Sequence, residues 1–115
     1  MKPVTGDVSP YSTARWKAFR LTILHRDLWT CQMCGAGLVE GRVSPASATV
    51  DHKTPHHGDD GLMWDASNCW AVCKHCHDGV CASIERRVPL SQVRRAKEAH
   101  RPVGLDGYPI RRGTQ

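Results

Sequence analysis

A chain of 115 residues with a formal charge of +5 has room for one domain and is compatible with a polyanionic partner. Only 40% of it is hydrophobic, so a small core would gain from a staple. No run of 18 apolar residues exists and Met1-Lys2-Pro3 leads into no apolar segment, so neither a membrane span nor an export signal is expected.

Residues 1–12, with Pro3, Gly6 and Pro10, read as an irregular lead-in. Ser12 or Thr13 caps a helix running to about Asp27. Trp16, Phe19, Ile23 and Leu24 recur on one face of it and are core. Arg15, Lys17, Arg20 and Arg26 form the other face, solvated or able to touch phosphate. Leu28-Trp29-Thr30 leads into Cys31-x-x-Cys34, with Trp29 as a shield for a bound ion. Gly35 and Gly37 permit the tight return that follows. A short strand fits Leu38 to Arg42, before a turn at Ser44-Pro45.

Ser47 to Val50 is a β-prone run ending at Asp51-His52. In the loop Lys53 to Ser67, His56 and His57 are expected at the surface or bracing the loop. Gly58 to Gly61 is a turn in which Asp59 makes loop hydrogen bonds. Leu62, Met63 and Trp64 bury beneath the loop, and Asp65 and Ser67 brace the approach to Asn68. Cys69 to Val72 is a second β-prone run. Cys76 and His77 open a helix to about Arg87, stopped by Pro89. Glu85 is expected in an ion pair. Ser91 caps a third helix to about His100, carrying Arg94, Arg95 and Lys97. From Arg86 onward eight cations face only Glu98 and Asp106, so this part reads as a basic arm tracking a phosphate backbone.

Chemistry concentrates between Cys31 and Asp78. Cys31-x-x-Cys34 and Cys73-x-x-Cys76 are matched knuckles whose four thiolates satisfy tetrahedral Zn²⁺ and leave it no open position. Two disulfides are the alternative, disfavoured without an export segment. Asp51 and His52 are strand neighbours with diverging side chains, so only one readily faces a metal. His77 at the helix start can reach the strand. One carboxylate and one imidazole give an open divalent-ion site, and the remaining His, with an unperturbed pKa of about 6.5, suits a general base.

The combination VDH (50–52), Pro55-His56 with Gly58-Asp59, Trp64-Asp65 with Ser67-Asn68, and CKxCHD (73–78) resembles the HNH (ββα-metal) endonuclease family. It is most similar to small HNH proteins encoded by tailed phages beside their packaging genes. The resemblance spans about Trp16 to Glu85, with an extension at residues 104–109. It implies an α+β fold: a zinc-stapled HNH domain over residues 13–88, followed by a basic helix and tail over 89–115. It makes Asp51 and His77 the catalytic metal ligands, His52 the general base and Asn68 its brace, with Cys31, Cys34, Cys73 and Cys76 holding structural Zn²⁺. The catalytic ion would be Mg²⁺ or Mn²⁺, with Zn²⁺ or Ni²⁺ as alternatives. Lys53, Lys74, Arg86, Arg87, Arg94 and Arg95 are the candidate DNA contacts. Implied partners are DNA and, through packaging, the phage terminase large subunit and portal, for a monomer in the bacterial cytoplasm. A non-catalytic zinc module that binds DNA or a partner, and a host restriction or mobile-element nuclease, are the alternatives. Cys81 stands where some relatives place a third ligand; packing against the strand is expected instead. Cys69 and Trp70 depart from the family's Trp-Gln, with Cys69 read as a small buried hydrophobe.

Overall fold

The computed structural model describes residues 9–41 and 43–101. Expectations for residues 1–8, Arg42 and everything after Arg101, including Arg111 and Arg112, lie outside the described residues. Helix α1 spans Ala14–Arg26 and starts where the Thr13 hydroxyl accepts from the Trp16 amide at 3.1 Å. Its apolar stripe buries Trp16, Ile23 and Leu24 against the strands. The helix stops at Leu28 and Trp29, both left-handed with φ of 57° and 50°. That conformation is uncommon outside glycine. It is held by the Trp29 amide donating to the Leu24 carbonyl and by Asp27, whose carboxylate accepts from the Ala71 amide at 2.9 Å.

Strands β1 (Ala48–His52) and β2 (Cys69–Cys73) form an antiparallel pair in the register Ala48↔Cys73, Val50↔Ala71 and His52↔Cys69. β2 is buried along its whole length, so it reads as a continuous apolar run rather than an alternating one. Between the strands, Asp59 caps the short helix α2 (Asp60–Met63), accepting from the Leu62 amide at 3.2 Å. Asp65 then holds the turn Ala66–Asn68 through the Ser67 amide and hydroxyl. Met63 is buried and Trp64 half-buried. No strand forms between Leu38 and Gly41; isolated bridges Thr30↔Gly37 and Val39↔Ser47 tie this stretch down.

After β2 and the helical residues Lys74 and His75, Cys76–Cys81 form a π-helical turn rather than an α-helix, and it continues into α3 (Ala82–Arg87). Such wide turns occur frequently at functional sites, and His77 lies on this one. Helix α4 (Leu90–Ala99) begins one residue before Ser91, with Pro89 at its cap and no side-chain capping bond, so Ser91 is not the cap. It packs on α3. Among the described residues no helix is long and apolar enough to cross a membrane.

Arg20 does not sit on a free basic face. It grips both oxygens of Glu40 at 2.6 and 2.7 Å and donates to the Ala48 carbonyl, fastening α1 to the loop before β1. Hydrogen bonding from Arg20 holds the Glu40 carboxyl below its ordinary range, with burial opposing. The lowered value means the stabilisation is fully present above the unfolded carboxyl pKa of about 4.3 and is lost as pH falls below it. Glu40→Gln is therefore expected to cost up to about 1 kcal/mol at neutral pH. Urea melts of both proteins at neutral pH should show that difference at low salt and its narrowing at high salt.

Candidate metal centres and active site

The four knuckle sulfurs converge. Their ligand atoms all lie within 4.8 Å of one another, and Cys34 and Cys73 are 3.8 Å apart. Tetrahedral zinc with Zn–S bonds of about 2.3 Å separates its sulfurs by about 3.8 Å, so the residues present fit that ion. In each knuckle a backbone amide turns back to sulfur: Cys34 N–H to Cys31 and Cys76 N–H to Cys73, both at 3.4 Å. All six cysteines are free thiols, which removes the disulfide alternative. Burial, and then the neighbouring sulfurs, push the Cys34 thiol up to about 11 and raise Cys76 further. Cys31 moves the other way: burial raises it, but hydrogen bonds from backbone amides and from Cys34 outweigh that and lower its pKa. Cys69 and Cys81 stand outside the cluster. Both are buried, with thiols pushed up by desolvation, Cys69 to about 12. The Cys81 thiol contacts Met33 sulfur at 3.5 Å.

The second constellation lies in a cleft of about 430 Å³, lined by Tyr11, Trp16, Asp51, His52, His56, His77 and Glu85 among others. Asp51 is 2% exposed. Its Oδ1 faces His77 Nε2 at 3.9 Å. That is too long for a hydrogen bond but within the span of two bonds of about 2.1 Å to one ion. The other His77 nitrogen, Nδ1, lies 3.2 Å from Asp78 Oδ1. A carboxylate there accepts the ring N–H, leaving Nε2 as a lone pair aimed toward Asp51, the tautomer a metal ligand needs.

One occupant was not foreseen. Lys97 is fully buried, with Nζ 3.1 and 3.2 Å from the two Asp51 oxygens, 2.8 Å from the His52 carbonyl and 2.6 Å from Glu85. It belongs to the site rather than to the basic arm on which its sequence neighbours place it. Trp70 also donates to Asp51 Oδ2 at 2.9 Å. The signal was available in the pattern: Lys97 follows the buried Val93 by four residues, so both share the inward face of α4. The Glu85 ion pair was expected; its partner was not.

His52 and Asp51 share the cleft although they are strand neighbours, because β1 ends at His52 and its ring turns back over Trp16, stacked at 5.7 Å. His52 Nε2 lies 3.0 Å from the Met63 carbonyl. Only an N–H satisfies a carbonyl, so Nδ1 keeps the lone pair. Desolvation lowers the His52 pKa and keeps the ring neutral. Asn68, 1% exposed, exchanges bonds with Thr54 N–H and C=O and donates to the Leu62 carbonyl at 3.3 Å. It thereby holds the loop whose next carbonyl, at Met63, orients His52. His56, expected at the surface or bracing the loop, braces it at Gly58 and also sits edge-on to His52 at 4.8 Å.

The basic residues proposed for DNA are placed unevenly. Lys53 pairs with Glu98 and lies over Trp70, and Arg94 pairs with Glu98 and the Ser67 carbonyl. Lys74 pairs with Asp78. Arg87 bonds Ser83, and Arg86, Arg87 and Arg95 are exposed.

Residues 31–80 match the family model HNH: HNH endonuclease. The match covers both knuckles, Asp51, His52, Asn68 and His77, while Tyr11, Trp16, Glu85 and Lys97 lie beyond it. No curated protein and no solved structure matches the chain. A small α+β fold with a two-stranded sheet and a four-cysteine cluster is consistent with an HNH domain.

Proposed function

We propose that this protein is a metal-dependent endonuclease that hydrolyses DNA phosphodiester bonds in the cleft between β1 and the π-helical turn. The observation that carries the reading is the convergence of a neutral His52, with its tautomer set by Met63, on the facing pair Asp51 and His77. His52 Nδ1 accepts a proton from water as that water attacks phosphorus. Asp51 and His77 would hold the divalent ion, which when bound stabilises the charge growing on the nonbridging and leaving oxygens. Asn68 keeps the base in register through the loop. The two protein ligands suit Mg²⁺ or Mn²⁺ and also admit Zn²⁺ or Ni²⁺. Exposed Arg86, Arg87 and Arg95 supply backbone-tracking charge.

His52→Ala is expected to slow plasmid nicking by about 10² to 10⁴ fold, with metal content and circular dichroism retained. Loss of fold instead would make His52 structural. A second reading draws on Lys97, whose ammonium already serves both Asp51 oxygens: a zinc module that binds DNA without cutting it. Folded, zinc-loaded protein that binds oligonucleotides and never nicks with any divalent ion would establish that reading. The motifs shared with packaging-linked phage proteins extend the proposal to a cytoplasmic role beside the terminase large subunit and portal. Cleavage that rises on adding those proteins supports that role; unchanged cleavage favours a restriction or mobile-element nuclease.

A further inference from the structure

We propose that the Tyr11 hydroxyl is a substrate-binding donor of this cleft, giving its proton to a nonbridging oxygen of the DNA phosphate, and that His56 sets the direction of that bond. The inference rests on the nuclease reading above and adds to it a residue outside the matched span.

Proton positions fix the direction of each bond. The Gly58 amide donates to His56 Nδ1 at 3.0 Å, so Nδ1 carries a lone pair. A neutral imidazole then has its proton on Nε2. Nε2 lies 2.6 Å from the Tyr11 hydroxyl oxygen, so His56 donates and Tyr11 accepts. The phenol proton is left to turn elsewhere, and among the described residues it meets no acceptor. Burial raises the Tyr11 pKa, with the nearby Cys69 adding to it, so the hydroxyl keeps that proton. The ring is placed, not loose: it stands edge-on to Trp16 at 4.9 Å, and Trp16 in turn stacks on His52. Tyr11 is 45% exposed and lines the same cleft as Asp51, His52 and His77.

The cleft needs such a donor. Two of its walls are the carboxylates Asp51 and Glu85. Lys97 is turned to those same groups, and both terminal nitrogens of Arg20 already donate to Glu40. A neutral hydroxyl offers a hydrogen bond to an anion with no salt bridge to break first, and hydrogen bonds to charged acceptors are among the stronger ones.

The test is Tyr11→Phe, which keeps the ring on Trp16 and removes one oxygen. Single-turnover cleavage of a short duplex should slow by about 10- to 100-fold, with zinc content and melting temperature unchanged. Substrates carrying one phosphorothioate at the scissile position, each diastereomer separately, supply a readout that a structural role would not move. Sulfur at the contacted oxygen should slow the wild type but hardly slow Tyr11→Phe, so the two penalties fail to add for one diastereomer. Wild-type rates in Tyr11→Phe, or additive penalties for both diastereomers, overturn the proposal. Oligonucleotide affinity, measured by fluorescence anisotropy in a His52→Ala background, separates it from the nuclease reading. If wild-type protein never cuts, that reading falls. Weaker binding on adding Tyr11→Phe then still upholds the phosphate contact, and equal binding sinks it.

Discussion

Stripping the ion from the four-cysteine cluster is expected to unfold the protein cooperatively. The cluster joins the Cys31 loop to the end of β2 and the start of the π-helical turn, elements far apart in sequence. Structural zinc in small domains contributes about 10–16 kcal/mol at neutral pH, whereas a whole domain is stable by about 5–15 kcal/mol. A chain that loses a contribution of that size cannot remain folded. A strong chelator should abolish the far-ultraviolet circular dichroism signal, and Cys76→Ser should yield unfolded, zinc-poor protein. Cys69→Ala is the control: equally buried, outside the cluster, and expected to retain the ion. A helical signal that survives complete loss of metal would refute this account of stability.

The second large effect is expected at Lys97. Lys97→Met keeps the length and most of the volume but deletes the cation, leaving Asp51 buried beside Glu85 with no full positive charge from the described residues against it. Breaking a buried pair from one side costs about 3–5 kcal/mol. Denaturant melts of zinc-loaded protein should show a loss of that size. Two further measurements separate charge from packing. Mn²⁺ should raise the melting temperature of Lys97→Met more than that of the wild type, since the ion becomes the main cation at Asp51. Adding Asp51→Asn should recover part of the loss, because the uncompensated charge disappears. Equal Mn²⁺ shifts in both proteins and strictly additive losses would reduce Lys97 to a space-filler.

These residues show how far a sequence carries. The knuckles, the start of α1 at Thr13 and both strands are local signals: paired cysteines, a capping hydroxyl, a repeating apolar face and two β-prone runs. Each can be read within a few residues. Lys97 cannot, because a lysine among arginines looks solvated until α4 folds back over Asp51, a contact 46 residues long in sequence. Tyr11 was hidden for the same reason: its partner, His56, lies 45 residues away. The π-helical opening was missed because Cys76 and His77 suit any helix start. In the folded chain that turn carries Cys76 at the sulfur cluster and His77 facing Asp51. The carboxylate partners of Lys53, Lys74 and Arg94, at Glu98 and Asp78, likewise appear only in the folded chain.

Cys76 and His77 are consecutive residues, so a single peptide unit joins the four-sulfur cluster to the imidazole that faces Asp51. An oxidant that joins two of the sulfurs would release an ion held by the cluster and, through that peptide, withdraw His77 from its carboxylate. The geometry of the cleft would then answer to thiol chemistry at a separate centre, and a reductant together with a thiophilic ion would be needed to restore it.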